Sequence, residues 1–286
     1  MLLITGSTGE LGTEVINALL TKIKPDKIAV LVRDTDKAEH WKEAGIDVRK
    51  GDYFYPDALK LLMVGVKKLL LISASGFELR TTQHINVINV AKQMGVKHIY
   101  YTSVQRKDDS DCELSGITQS DKETESYLKS SGVTYTILYN TLYADSIPFF
   151  IGEKVTKAGV AFPAGKGKVA FVTKQDLGEA IATMLIDDNH ENKEYILTNS
   201  ESWSFDDIAE ILSGTTGKEI AFKPSQVNTY VKKMEANGST QSEAKFAAEC
   251  AAAISEGEYE KTDPMLENLL GRKPTSLKEF LKTVYK

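Results

Sequence analysis

The sequence predicts an α/β fold in which a doubly wound parallel sheet is followed by a smaller, irregular α+β lobe at the C-terminus. Up to about position 140, six short apolar runs alternate with segments that repeat apolar residues at helical spacing. The run at residues 67–73 (KKLLLIS) is apolar without alternation, which is typical of a strand that helices cover on both faces. Beyond residue 140 the regular alternation is lost. The first half of the chain therefore indicates successive βα units, which favour a parallel sheet.

Each predicted element follows from local patterning. The six predicted strands are residues 2–5, 27–33, 47–50, 67–73, 96–103 and 133–139. The predicted helices between them are residues 11–22, a helix that opens at Asp34 or Thr35 and closes near Gly45, and residues 56–62, 81–94 and 120–130. Pro56 at the first position of its helix is typical of a helix start, and Gly95 and Gly132 are typical of helix ends.

The C-terminal half is predicted as a mixed lobe. Its predicted helices are residues 177–185, 205–212, 230–235 and 245–254, and its candidate strands are residues 169–173 and 195–198. We therefore expect a dinucleotide-binding domain over residues 1–144, to which later segments could add, and a smaller substrate lobe over residues 145–286.

Composition excludes several functional classes. The chain has 35 basic and 40 acidic residues and a formal net charge of -5, which gives no electrostatic reason to expect nucleic acid or an anionic membrane as a partner.

The cysteines and the apolar runs indicate the compartment. Cys112 and Cys250 lie far apart, as expected for free thiols in a reducing compartment. No apolar run is long enough for a membrane span and no signal peptide is evident, so we expect the cytoplasm. The four histidines are scattered without metal-ligand spacing, so no metal site is expected, and His84 is expected to pack on the sheet-facing side of its helix.

The sequence GSTGELG at residues 6–12 directly follows the first predicted strand and opens the first helix. In this context Gly6 permits a tight turn, Gly9 allows a pyrophosphate to approach the backbone, and Gly12 allows the helix to pack closely. Backbone and hydroxyl groups over the same segment would hold the phosphates, and it comprises Gly6, Ser7, Thr8, Gly9, Glu10 and Leu11. The pattern predicts a Rossmann-type dinucleotide site, and the alternative is a glycine-rich turn without a ligand.

Arg33 ends the second predicted strand, where an acidic residue would favour NAD and an arginine would favour a 2′-phosphate. We therefore expect NADP(H) to be preferred over NAD(H). The neighbouring Asp34 is better explained as a cap of the following helix. The alternative for Arg33 is a surface arginine at a strand end.

Several segments together resemble the NmrA-like group of atypical short-chain dehydrogenases/reductases, and within it the quinone and triphenylmethane reductases. The more specific segments are QHINVINVAKQMGVKHIYYTS (residues 83–103) and VTYTILYNTLYAD (residues 133–145). The likeness also includes the glycine motif, Arg33, and residues 51–59, 171–182 and 195–212, so it covers nearly the whole chain.

The resemblance implies an NADP(H)-binding lobe and a small lobe that closes over a hydrophobic cleft. It implies further cofactor contacts along the ribose and nicotinamide, made by Ser73, Ala74, Ser75, Asn140, Thr141, Leu142, Tyr143 and, from the second lobe, Lys174. Two positions depart from the pattern: relatives often carry arginine in place of Tyr139, and some carry an apolar residue in place of Lys122. The acceptor therefore cannot be inferred from the relatives.

Many short-chain dehydrogenases use a Tyr-x-x-x-Lys pair in which lysine assists proton transfer by tyrosine. Here Lys122 is preceded four positions earlier by Thr118, which argues against ordinary nucleotide-sugar epimerisation. Lys122 is the candidate catalytic residue, since it could bond ribose hydroxyls or stabilise a developing oxyanion. The alternative is a solvated lysine on an amphipathic helix.

An aromatic group is the candidate substrate site. Tyr143, Phe149 and Phe150 could form a wall against which a flat acceptor stacks. A helix that buries its apolar side would explain the same residues.

The sequence thus predicts an NADPH-dependent oxidoreductase that reduces a quinone or a similar flat, conjugated small molecule. The alternative is an NADP(H)-sensing regulatory protein of the NmrA type without turnover. A nucleotide-sugar epimerase fits the fold but lacks the tyrosine, and the oligomeric state is left open.

Overall fold

The computed structural model describes residues 1–74, 79–108, 110–153 and 159–285. The chain forms two compact units. The first unit comprises Met1–Val104, Gln119–Asn140 and Lys174–Leu197, and the second comprises Gln105–Thr118, Thr141–Thr173 and Thr198–Lys286. The first unit thus includes a later segment, residues 174–197, besides most of residues 1–140.

The strands alternate with helices as predicted in the first half. In chain order they are β1 Leu2–Ile4, β2 Ile28–Val32, β3 Asp47–Lys50, β4 Lys68–Leu71, β5 His98–Val104, β6 Thr134–Asn140, β7 Lys168–Val169, β8 Lys193–Leu197 and β9 Trp203–Ser204.

The helices occupy the intervals between strands and most of the C-terminal segment. They are α1 Glu10–Leu20, α2 Glu39–Glu43, α3 Pro56–Leu62, α4 Arg80–Gln93, α5 Ile117–Ser130, α6 Ile147–Ile151, α7 Lys174–Ile186, α8 Phe205–Thr216, α9 Val227–Ala236, α10 Gln241–Ser255, α11 Met265–Leu270 and α12 Leu277–Val284. Among the described residues, no helix combines the length and hydropathy that a transmembrane span requires.

The first unit is built on a parallel sheet of seven strands within the described residues, in the order β3-β2-β1-β4-β5-β6-β8. β2 is buried along its whole length, which agrees with a sheet covered on both faces. One face packs a core that includes Leu3, Leu69, Val87 and Ile99. The predicted α/β class with a doubly wound parallel sheet is confirmed.

The seventh strand corrects one prediction. Residues 195–198 were expected in the second lobe, but β8 pairs in parallel with β6, with Thr136 opposite Lys193 and Asn140 opposite Leu197. The preceding helix α7 packs against α1 of the same unit. Gly178 permits this approach, because a Cβ there would lie 2.5 Å from Cβ of Glu14. Strand pairing and helix contact together place residues 174–197 in the first unit.

The second unit differs from its predicted pattern in two places. Residues 169–173 form a strand only at β7, which pairs antiparallel with the short β9. The helices α11 and α12 were not predicted, although α12 carries a local signal: the Ser276 hydroxyl accepts from the Glu279 N–H, and the Glu279 carboxylate accepts from the Ser276 N–H. Such a capping box is recognisable from Ser-x-x-Glu.

Candidate cofactor site

The strand order places a topological switch point at the carboxyl ends of β1 and β4. β1 lies between β2 and β4, so the chain leaves β1 toward one side of the sheet and β4 continues it on the other side. Such a switch point is where open α/β sheets bind ligands. Three chain segments meet this edge: the glycine loop after β1, Arg33 after β2, and Ile72, Ser73 and Ala74 after β4.

The glycine loop forms a narrow cradle before α1. Gly6 has a φ of 62°, and its carbonyl accepts a hydrogen bond of 3.0 Å from the N–H of Gly9. Gly9 is the N-cap of α1, and no side chain caps this helix end. The N–H groups of the first turn thus have no partner within the helix and are available to an anion.

Gly12 allows the helix to approach this loop. A Cβ at position 12 would lie 2.3 Å from the carbonyl oxygen of Gly6 and 2.8 Å from Cα of Ser7. Both of these neighbours are backbone atoms, so neither can rotate away. The close packing predicted from the spacing of the glycines is therefore present.

Ser7 provides an independent indication of a ligand. Its side chain is buried with 1% exposure, and its Oγ has no hydrogen-bond partner among the described residues. A buried hydroxyl without a partner is costly, and a phosphate oxygen in the cradle would supply that partner. Trp41 Nε1 donates to the Ser7 carbonyl at 3.3 Å and so fixes the loop, while Thr8 is exposed. The cradle fits a phosphate group.

Arg33 is exposed directly after β2, as predicted. The adjacent Asp34 is engaged locally, because its Oδ1 accepts from the N–H of Asp36 at 3.1 Å. Asp34 therefore caps the next turn. Arg33 remains the residue at this strand end that suits a 2′-phosphate.

Tyr53 lies beside the glycine loop, although it was not predicted from the sequence. Burial raises the pKa of Tyr53 to about 12, while the nearby Thr5 side chain, the Arg33 charge and the Gly6 backbone lower it. Tyr53 thus places the segment after β3 next to the glycine loop. Its position shortly after the third predicted strand could have indicated this location, because the carboxyl ends of parallel strands lie at the same edge of the sheet.

Backbone groups after β4 are held by side chains. The N–H of Ile72 donates to Thr5 Oγ1 at 3.0 Å, that of Ser73 to Thr102 Oγ1 at 2.9 Å, and that of Ala74 to His84 Nε2 at 2.9 Å. Ser73 and Ala74 are partly buried at the predicted cofactor path. Ser75, also predicted there, lies outside the described residues.

Lys174 is placed differently from its prediction. It is the first residue of α7 and belongs to the first unit, because α7 packs on α1. Its Nζ pairs with the carboxylate of Glu10 in the first turn of α1. Lys174 therefore lies beside the glycine loop within the same unit and does not come from the second lobe.

The candidate Lys122 is partly buried on α5, and Thr118, one turn earlier, is buried. Nearby in the same unit, Ser103 Oγ donates to Glu125 Oε1 at 2.5 Å, and both residues are buried. The Tyr139 hydroxyl donates to Glu194 Oε2 at 2.6 Å. The Ser103 hydroxyl is thus bonded to the Glu125 carboxylate, which was not predicted as a site residue from the sequence.

The remaining predicted residues are divided between the units. Asn140 ends β6 in the first unit and is buried, whereas Thr141, Leu142 and Tyr143 belong to the second. Their contact with a cofactor stays a prediction.

The aromatic candidates have unequal environments. Phe149 is 37% exposed, whereas Phe150 is 3% exposed. The Phe150 ring stacks on Phe162 with centroids 4.9 Å apart, and its carbonyl accepts from the Tyr230 hydroxyl at 2.9 Å. Phe150 therefore packs in the core of the second unit, as the alternative for this aromatic group anticipated. A substrate role for Tyr143, Phe149 and Phe150 stays a prediction.

Known proteins share this architecture over its full length. The sequence profile of the NmrA-like family matches residues 1–281. Quinone oxidoreductase 2 of Escherichia coli is 33% identical over 285 residues, which cover 100% of this chain and 99% of that protein. The crystal structure of an NADPH-dependent quinone oxidoreductase of Escherichia coli complexed with NADPH has a TM-score of 0.94 and 32% identity and covers 100% of both chains.

A second enzyme gives a similar match. The crystal structure of Citrobacter sp. triphenylmethane reductase complexed with NADP(H) has a TM-score of 0.93 and 36% identity, over 99% of this chain and 100% of that one. The family profile spans nearly all of the chain, and full-length relatives exceed 30% identity. The chain therefore belongs to the NmrA-like family.

Proposed function

We propose that this protein is an NADPH-dependent oxidoreductase that reduces a quinone or a similar flat, conjugated acceptor. The observation that carries the proposal is the cradle at the switch point, where the buried Ser7 hydroxyl has no partner among the described residues and lies two positions before a helix N-cap that no side chain caps. The full-length relatives named as a quinone oxidoreductase and a triphenylmethane reductase support this reaction class.

Different residues of the chain would bind different parts of NADPH. The first-turn N–H groups of α1 and the Ser7 hydroxyl would bind the pyrophosphate, and the Arg33 guanidinium would bind the 2′-phosphate. Ser73 and Ala74, held after β4, would border the other half of the dinucleotide. When bound, NADPH supplies the hydride, and the protein's task is to hold nicotinamide and acceptor in a reactive orientation.

Proton handling separates this function from sugar epimerisation. Thr118 occupies the position one turn before Lys122, and a threonine hydroxyl is a far weaker acid than an activated phenol. Reduction of a quinone needs only that the product oxygen gain a proton from water or a nearby donor. We propose that Lys122 stabilises negative charge that develops on the acceptor, which is the contribution expected of an ammonium group.

Acceptor-dependent oxidation of NADPH is the direct test. We expect the purified protein to oxidise NADPH when supplied with one or more members of a panel of quinones and triphenylmethane dyes, and to oxidise it negligibly without them. The loss of NADPH absorbance measures the rate. Tight NADPH binding with no oxidation across the whole panel would contradict the proposal and favour the cofactor-sensing regulator.

Arg33→Ala is expected to weaken NADPH binding by about 10- to 100-fold, the loss typical of hydrogen bonds to a charged group. NADH binding should change little, because NADH lacks the 2′-phosphate. Fluorescence titration of both cofactors measures the two dissociation constants. Lys37→Ala removes an exposed positive charge four positions later and is the matched control. An equal loss for NADPH in both variants would mean that only general electrostatics is at work.

A further inference from the structure

Three consecutive N–H groups after β4 are bound by three side chains from different elements. We call Thr5, Thr102 and His84 the strand-end clamp, since they accept from Ile72, Ser73 and Ala74 respectively. Thr5 follows β1, and Thr102 lies in β5, so both come from strands that neighbour β4. His84 comes from helix α4 and is the acceptor farthest along the segment.

The hydrogen bonds of His84 fix its tautomer. Thr124 Oγ1 donates its hydrogen to the Ser120 carbonyl at 2.8 Å. At 3.0 Å from His84 Nδ1, the same oxygen can therefore only accept, so Nδ1 carries the proton. The Tyr101 hydroxyl donates to Asp121 Oδ1 at 2.5 Å and does not compete as a donor. Nε2 is left with its lone pair, as the bond from Ala74 requires.

The ring is also held neutral. His84 is fully buried, and burial together with the positive charge of Arg80 lowers the pKa of His84 to about 3. Arg80 itself is paired with Asp121 at 2.8 Å. Near neutral pH the His84 ring therefore keeps one N–H, at Nδ1 toward Thr124, and one acceptor, at Nε2 toward Ala74.

The clamp lies where the second half of a dinucleotide must pass. The cradle after β1 would bind the pyrophosphate, and Arg33 after β2 would bind the 2′-phosphate of the adenosine half. A dinucleotide laid along the strand ends therefore runs from β2 across β1, and its nicotinamide half faces the segment after β4. The backbone of residues 72–74 therefore sets the shape of the part of the site that would receive the nicotinamide half.

We propose that His84 is a positioning residue for NADPH: in its Nδ1–H tautomer it accepts from Ala74 and holds Ser73 and Ala74 in the conformation that the nicotinamide half requires. This inference rests on the proposed function. His84 acts through the backbone of Ala74, and Thr124 acts through His84 by fixing which nitrogen accepts.

Ring nitrogen NMR of the wild-type protein tests the tautomer without any cofactor. We expect the His84 signals of a neutral ring protonated at Nδ1. A ring protonated at Nε2, or a charged ring at neutral pH, would overturn the proposal, because neither can accept from Ala74.

NADPH titration of three variants tests the role. His84→Phe keeps the ring volume but removes the acceptor, and should raise the NADPH dissociation constant about tenfold. His84→Gln, whose side-chain oxygen can reach a similar place, should restore most of that loss. Thr124→Val should weaken NADPH binding and increase the Nε2–H tautomer.

The outcomes separate the two proposals. If the wild type binds NADPH and His84→Phe binds it equally well, the role of His84 is overturned and the proposed function stands. Absence of NADPH binding in the wild type overturns the proposed function. If His84→Phe does not fold, Thr124→Val is the deciding variant. If its His84 ring has shifted to the Nε2–H tautomer and its NADPH dissociation constant is unchanged, the proposal is overturned.

Discussion

Gly12→Ala is expected to weaken NADPH binding at least ~100-fold and to destabilise the first unit. The new Cβ would lie 2.3 Å from the Gly6 carbonyl oxygen and 2.8 Å from the Gly6 carbonyl carbon. Both atoms are backbone atoms of the cradle, so the loop or α1 must move as a whole. Each phosphate hydrogen bond contributes about 1.5–3 kcal/mol, so losing two or more corresponds to at least ~100-fold weaker binding. Fluorescence titration and chemical denaturation measure the two effects.

Gly214→Ala is the matched control for this substitution. Gly214 lies in α8 of the second unit, and a Cβ there would contact nothing within 4 Å. Alanine favours a helix over glycine by about 1 kcal/mol, so this variant should bind NADPH normally and be as stable as the wild type or more so. Normal NADPH binding by Gly12→Ala would show that the cradle is not the phosphate site.

The cradle could be predicted because its signal is local. A strand, three glycines at fixed spacing and a helix start all lie within the first twelve positions, and the demands on Gly6 and Gly12 arise from neighbouring backbone. The end of β2 could be predicted for the same reason, since Arg33 and the cap at Asp34 follow directly from the strand. These inferences needed no knowledge of distant parts of the chain.

Membership of β8 in the sheet could not be predicted in this way. Residues 195–198 have the composition of an ordinary short strand, and only the pairing of β8 with β6, across more than fifty positions, assigns it to the first unit. Strand patterns indicate a half-buried surface but not its partner. The same applies to Lys174, whose neighbour Glu10 lies 164 positions away along the chain.

The buried polar network behind the clamp was equally hidden from sequence. Arg80, Asp121 and Tyr101 lie on α4, α5 and β5, and each alone is compatible with an amphipathic element. Their convergence depends on how these elements pack. The structure thus adds the groups that hold the site in shape, whereas the sequence indicated the groups that would touch the ligand.

Asp121→Ala is expected to reduce the free energy of unfolding of the first unit by about 3–5 kcal/mol, the cost of breaking a buried ion pair from one side. The Arg80 and Asp121 side chains are 4% and 1% exposed and lie 2.8 Å apart. Removing the carboxylate leaves the Arg80 guanidinium buried without its counter-charge and takes the acceptor from the Tyr101 hydroxyl. An unpaired buried charge costs far more than the pair contributes.

The two tryptophans allow the units to be followed separately. Trp41 is buried in the first unit and Trp203 lies in the second, so in a Trp203→Phe background the fluorescence of Trp41 reports unfolding of the first unit.

Lys42→Ala is the control. It breaks the ion pair between Lys42 and Glu39, whose side chains are 68% and 55% exposed respectively, and it should leave the unfolding transition of the first unit unchanged. The double variant Arg80→Met, Asp121→Leu should recover the part of the loss that comes from the unpaired charge, because apolar residues of similar volume can replace a buried pair, but not the part that comes from the missing acceptor of the Tyr101 hydroxyl. If Asp121→Ala alone were as stable as the wild type, Arg80 would have to reach water or another anion, and the expected cost of an unpaired buried charge at this position would be wrong.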